Sequence, residues 1–130
     1  MLKGSCLCGA VAYQIDGEPE KVLMCHCEKC RKASGAAFAT NGIVMADNFS
    51  VTRGKDDIAE YESTPGVFRR FCKNCGSPLY SMRPGREFVV VRLGTLDSPM
   101  ESRPSGHIFV GSKADWDIIH DDLPRYDERP

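Results

Sequence analysis

The sequence predicts a mainly β protein of antiparallel sheets, stapled by zinc and carrying little helix. Three observations carry that expectation: two strand segments folded back on Pro-Gly turns, a shortage of helical periodicity, and cysteines grouped in metal-ligand spacings. At 130 residues and 42% hydrophobic, the chain has the size and apolar content of one domain with a modest core. No repeat or linker divides it, so residues 1–130 are read as a single zinc-binding domain.

The elements follow in order. Residues 10–15, Ala-Val-Ala-Tyr-Gln-Ile, read as a strand closed by Asp16-Gly17. One or two helical turns are expected over residues 28–33, rich in Glu, Lys and Arg and stopped by Ser34-Gly35. A strand over residues 38–45 ends at Asp47-Asn48. Residues 58–62 and 67–72 flank Thr64-Pro65-Gly66, and residues 79–82 and 88–93 flank Arg83-Pro84-Gly85-Arg86. In both turns Pro presets φ and the following Gly supplies a positive φ, as a type II turn requires, so two antiparallel hairpins are expected. The unbroken run Phe88-Val89-Val90-Val91 predicts a central strand covered on both faces. Residues 97–106 read as a long surface loop, Trp116 with Ile118 and Ile119 as a packing anchor, and residues 121–130 as a loosely held tail.

Seventeen basic and eighteen acidic side chains leave a net charge of -1, which lacks the basic footprint of a nucleic-acid binder. The apolar runs are far shorter than the roughly twenty residues of a membrane-spanning helix. No export leader precedes Cys6, so a cytoplasmic protein with reduced thiols is expected. Seven cysteines also leave an odd thiol in every disulfide arrangement.

The cysteines form three groups: Cys6-Leu7-Cys8, Cys25-His26-Cys27-Glu28-Lys29-Cys30 and Cys72-Lys73-Asn74-Cys75. In an extended segment residues two apart share a face, so Cys6 and Cys8 can hold one ion, and Cys72 and Cys75 have a knuckle spacing. Gly9 and Gly76 follow these pairs and permit the tight turns that aim backbone N–H groups at sulfur. Together the pairs complete a tetrahedral structural zinc site that ties the start of the chain to its middle; iron in the same geometry and buried free thiols are the alternatives.

Cys25, Cys27 and Cys30 leave a fourth position to be filled. Three protein ligands with an exchangeable fourth is the pattern of catalytic zinc, and a thiol entering there would be ionised and held as a nucleophile. Closure by His26 or by a distant side chain is one alternative, and a redox cluster is another. His26 lies between two ligands and is expected to point away. His107 reads as a satisfied core or rim histidine and His120 as solvated. Lys29, Arg31, Lys32, Arg69 and Arg70 surround the cysteines and could hold the carboxylates of an anionic thiol such as glutathione.

Gly4 to Tyr13, the stretch from Cys25 to Gly35 and the stretch from Arg70 to Leu79, with His107 to Phe109, Trp116 and Leu123-Pro124, resemble the glutathione-dependent formaldehyde-activating enzyme and centromere protein V family. The resemblance implies a β-tent with two zinc ions, Cys6, Cys8, Cys72 and Cys75 holding the structural one and Cys25, Cys27 and Cys30 the catalytic one. It implies a carbon-sulfur lyase that joins a thiol and a small aldehyde, glutathione and formaldehyde, in an S-hydroxymethyl adduct. The competing expectation is a non-enzymatic zinc module that binds a protein partner.

Overall fold

A computed structural model describes residues 1–130. The chain runs β1 (Leu2–Ser5), β2 (Ala12–Ile15), β3 (Lys21–Cys25), α1 (Glu28–Ser34), β4 (Ala39–Met45), β5 (Phe49–Arg53), β6 (Ile58–Thr64), β7 (Val67–Cys72), β8 (Pro78–Met82), β9 (Phe88–Arg92) and β10 (Gly106–Ile108). A three-stranded sheet has the order β1-β2-β5, and a seven-stranded sheet the order β10-β3-β4-β9-β8-β7-β6. Both expected hairpins form, β6 with β7 and β8 with β9. Every pairing is antiparallel except β10 with β3, which the loop before β10 delivers in the parallel sense.

The two sheets pack face to face. Leu2, Tyr13 and Ile15 of the small sheet meet Val22, Val44, Leu79, Val89 and Val91 of the large one in a single apolar cluster. Burial of such side chains stabilises by roughly 1.5–3 kcal/mol each, which makes this layer the main apolar support of the fold. Tyr13 also crosses the layer to hydrogen-bond Thr95 at 2.7 Å.

The opposite face of the large sheet stays open and decides where the site lies. In β9, Val89 and Val91 point into the core, while Phe88, Val90 and Arg92 line a cavity. The strand is central as expected, but only one of its faces meets a sheet; a run of apolar residues does not say whether the second face meets protein or a cleft. The large sheet also curls. Four strand spacings of ~4.8 Å would separate β3 from β7 by about 19 Å in a flat sheet, yet Cys30 in α1, just beyond β3, lies 3.7 Å from Arg69 of β7. Helix α1 bridges this gap and also places Lys29 Nζ on Thr64 Oγ1 at 2.6 Å.

Two expectations about the C-terminal part are corrected. Residues 121–130 are not loosely held: His107 N–H donates to Pro124 O, Tyr126 N–H to His107 O and Phe109 N–H to Glu128 O, at 2.9, 2.9 and 2.8 Å. Trp116 and Ile118 are not packing anchors; each is 69% exposed. Their segment is secured instead by buried Ala114 and by polar contacts, including Lys113 Nζ donating to Asp117 O at 2.5 Å.

Candidate metal centres and cavity

Cys6 and Cys8 lie just beyond the end of β1, while Cys72 ends β7 and Cys75 lies in the turn between β7 and β8. The expected extended geometry at Cys6-Leu7-Cys8 is replaced by a knuckle, because Gly9 N–H closes back on Cys6 O at 3.0 Å and Gly9 takes φ 80°. Gly76 does the same beyond the second pair, with φ 78° and its N–H on Cys72 O at 2.8 Å. These turns aim Val11 N–H at Cys6 Sγ (3.2 Å) and Asn74 N–H at Cys72 Sγ (3.4 Å), and the first of these bonds favours the Cys6 thiolate. Hydrogen bonding from Ser77 holds the Cys75 thiol down at about 5.

The four sulfurs gather in one place. Cys6 Sγ lies 3.6 Å from Cys8 Sγ, which lies 3.7 Å from Cys72 Sγ. A tetrahedral zinc with bonds of ~2.3 Å has sulfur–sulfur edges of about 3.8 Å, so this arrangement fits such an ion. The cluster would join the turn after β1 to the turn after β7.

Cys25 ends β3, Cys27 caps α1 by accepting Cys30 N–H at 3.3 Å, and Cys30 lies in the first turn of that helix. Their three Sγ atoms lie within 4.8 Å of one another, with no His, Asp or Glu ligand atom grouped among them. Cys25 and Cys30 are buried and Cys27 is half-buried. Hydrogen bonds from Cys25 and Cys27, helped by the charges of Arg92 and Arg69, draw the Cys30 thiol down, while Cys27 and Cys30 push the Cys25 thiol up. Packed thiols resist losing all their protons together unless a cation is shared among them, and three sulfurs this close fit a metal ion.

His26 turns away from the sulfurs, as its position between two of them implied. Its Nε2 lies 2.8 Å from His107 Nδ1, and His107 Nε2 meets the Asp121 carboxylate at 3.0 and 3.1 Å. His107 is the satisfied core histidine expected, and His120 is exposed.

The three thiols open into a cavity of about 890 Å³. Eight Lys and Arg side chains line it, against the single acidic side chain Glu28, although the whole chain is close to neutral. Such segregation favours an anionic ligand. Lys29, Lys32 and Arg69 belong to this lining, whereas Arg70 pairs with Glu60 (3.1 Å) and stacks on Tyr80. Arg69 donates to Cys30 Sγ from both terminal nitrogens, at 3.8 and 3.7 Å, and Ser63 Oγ receives its Nε–H at 3.0 Å. Sequence reasoning missed Arg92, Ser81 and Asn41. The available signal was the period-two alternation of β9, which puts Arg92 on the face of Phe88 and Val90.

Two packed antiparallel sheets, a four-thiol knuckle pair and a three-thiol group in a cationic cavity define a mainly β protein built around two cysteine clusters that can hold metal ions. Residues 1–112 match the family model described as glutathione-dependent formaldehyde-activating enzyme, and the chain belongs to that family. A Halomonas elongata protein provisionally named a glutathione-dependent formaldehyde-activating enzyme is 32% identical over 89% of this chain and 79% of its own length. An Aspergillus flavus protein with the same provisional name is 34% identical over 85% of this chain and 53% of its own. An uncharacterized lyase of Schizosaccharomyces pombe is 33% identical over 60% of this chain and 55% of its own. The chain thus spans about half the length of these fungal relatives. A crystal structure of a Rhodobacter sphaeroides protein shares the fold, with a TM-score of 0.63 and 23% identity over 76% of this chain and 91% of that one.

Proposed function

We propose that the chain acts as one domain, a zinc-dependent carbon-sulfur lyase joining a glutathione-like thiol to a small aldehyde such as formaldehyde and running the reverse reaction. The observation that carries this reading is the three-sulfur group, short of one ligand, opening into a cavity lined by cations. Cys6, Cys8, Cys72 and Cys75 would hold a structural zinc and Cys25, Cys27 and Cys30 a second, catalytic one. Zinc in the second position supplies a Lewis acid that favours the ionised form of an incoming thiol.

The remaining work falls to the chain's own residues. The cationic lining attracts and orients the carboxylates of the thiol substrate. Arg69, fixed by Ser63, holds Cys30 in place and offsets part of the charge of three thiolates. The cavity volume lies within the usual range for small-molecule sites and accommodates a tripeptide with a one-carbon aldehyde beside it. In the reaction a carbon–sulfur bond forms, the carbonyl π bond opens, and the oxygen gains the proton that the thiol lost. Seven free thiols suit a reducing compartment, and the cytoplasm is the proposed location.

Exchange between formaldehyde, glutathione and their adduct, followed by NMR, tests the proposal. Faster exchange with protein than without it is expected; the uncatalysed rate would defeat it. A second reading, a non-enzymatic module that docks a protein, draws on exposed Trp116 and Ile118. It predicts zinc binding without faster exchange.

A further inference from the structure

Arg92 ends β9 in the middle of the large sheet and is only 8% exposed. One terminal nitrogen donates to Val90 O and the other to Ser81 Oγ, both at 3.2 Å, and no carboxylate pairs with it. A guanidinium this buried, with only the cysteine cluster to balance its charge, is strongly disfavoured unless its remaining N–H groups meet an electron-rich partner. Asn41 faces Arg92 across the β4–β9 pairing and lines the same cavity. Its Oδ1 is buried and has no hydrogen-bond partner. Unused donors and an unused acceptor therefore stand side by side in the cavity that holds Cys25, Cys27 and Cys30.

We infer that Arg92 and Asn41 form the recognition point for the aldehyde oxygen, Arg92 as a catalytic residue that stabilises the negative charge the oxygen gains. This inference rests on the reaction proposed above. One group satisfies both orphans in turn. A carbonyl oxygen accepts from Arg92 and accepts more strongly as charge builds on it; after protonation, its O–H donates to Asn41 Oδ1. As sulfur bonds to the aldehyde carbon, the π electron pair moves to oxygen. The proton released by the thiol reaches that oxygen through water, and nothing is oxidised or reduced. In the reverse direction the same contacts recognise the adduct hydroxyl.

The test compares wild type, Arg92→Gln and Asn41→Ala by zinc content, NMR exchange kinetics and calorimetric binding of two probes. S-methylglutathione lacks oxygen beyond the sulfur, whereas glutathione sulfonate carries it there. Arg92→Gln should keep both zinc ions and bind S-methylglutathione within about threefold of wild type, while kcat falls ~100-fold, the usual effect of removing an oxyanion donor. Wild type should prefer the sulfonate, and Arg92→Gln should lose most of that preference. Asn41→Ala should lower kcat about tenfold with KM unchanged.

A kcat for Arg92→Gln within threefold of wild type would overturn the assignment. So would loss of the second zinc, because Arg92 would then serve only to balance thiolate charge. If Arg92→Gln does not fold, unaltered kcat and sulfonate preference in Asn41→Ala overturns the pair. If wild type fails to accelerate exchange, the proposed reaction falls, and the sulfonate preference still decides the oxygen site.

Discussion

His26 Nε2 and His107 Nδ1 meet at 2.8 Å between buried rings, and Asp121 fixes which ring donates. The carboxylate accepts from His107 Nε2, so in the neutral pair His107 Nδ1 is the acceptor and His26 Nε2 the donor. That leaves His26 Nδ1 unprotonated, in keeping with its lack of a hydrogen-bond partner and its 3.9 Å distance from Asp117. The bond fastens the connection between Cys25 and Cys27 to β10. His107→Ala leaves the His26 donor buried and unpaired, and a loss of about 1–3 kcal/mol is expected in denaturant unfolding of the zinc-loaded protein. An unchanged midpoint would remove this role.

Two acidic side chains hold the C-terminal third in place. Glu18 accepts from the Ser102 hydroxyl and N–H at 2.6 and 2.7 Å, and these bonds draw its carboxyl below the ordinary range. The hydrogen bond from His107 does the same for Asp121. A carboxyl whose folded pKa is depressed contributes stability above its unfolded value of roughly 4, and that contribution is lost as pH falls through the folded pKa. Leu123 N–H, which donates to Asp121 Oδ1 at 3.0 Å, provides a local reporter. Its NMR shift should stay constant down to about pH 4 and move only below that. A midpoint above roughly 4 would contradict the direction of the shift.

Single cysteine variants should separate the two clusters. Cys72→Ser removes a fully buried sulfur from the group linking the turns after β1 and β7, and loss of cooperative folding is expected. Structural zinc is worth on the order of 10 kcal/mol, comparable with the whole stability of a small domain. Cys27→Ser alters a half-buried thiol in the cavity, so under the proposed assignment the fold should persist with one tightly held zinc per chain. Metal analysis and near-ultraviolet circular dichroism check both, and a folded Cys72→Ser protein retaining two ions would reverse the assignment.

Arg69→Gln deletes both guanidinium contacts to Cys30. Removal of partners that orient metal ligands weakens metal binding about 10–100-fold, and chelator competition should show a loss of that size confined to the second ion. Equal weakening of both ions, or of neither, would show that Arg69 does not act through Cys30.

Much of the fold and of the two clusters was legible because cysteine spacing and Pro-Gly turns act locally. Cys72-Lys73-Asn74-Cys75-Gly76 specifies its knuckle within five residues, and Thr64-Pro65-Gly66 its hairpin. Strand β3 was missed since four of its five residues are buried and no alternation marks it. The tail reads as loosely held because its anchors, backbone hydrogen bonds to residues 107–111 and the contact of Asp121 with His107, are not revealed by composition. Trp116 misleads for the converse reason: a large aromatic predicts burial on average, while buried Ala114, the Lys113 bond to Asp117 O and the Asp121 contact with His107 anchor this segment. Arg92 reaches the cavity through the β3–β4–β9 pairing, in which Asn41 faces both Leu23 and Arg92, a relationship between distant strands that spacing along the chain cannot encode.

Zinc X-ray absorption with and without glutathione tests the central claim most directly, that one cluster is closed and the other takes a thiol. With a four-sulfur site and a three-sulfur site both filled, the mean sulfur count per zinc should be about 3.5 without glutathione and should rise to about 4 when it is added. A count that does not change on adding glutathione would mean that the protein itself closes the second site, and would contradict a thiol-accepting zinc at Cys25, Cys27 and Cys30.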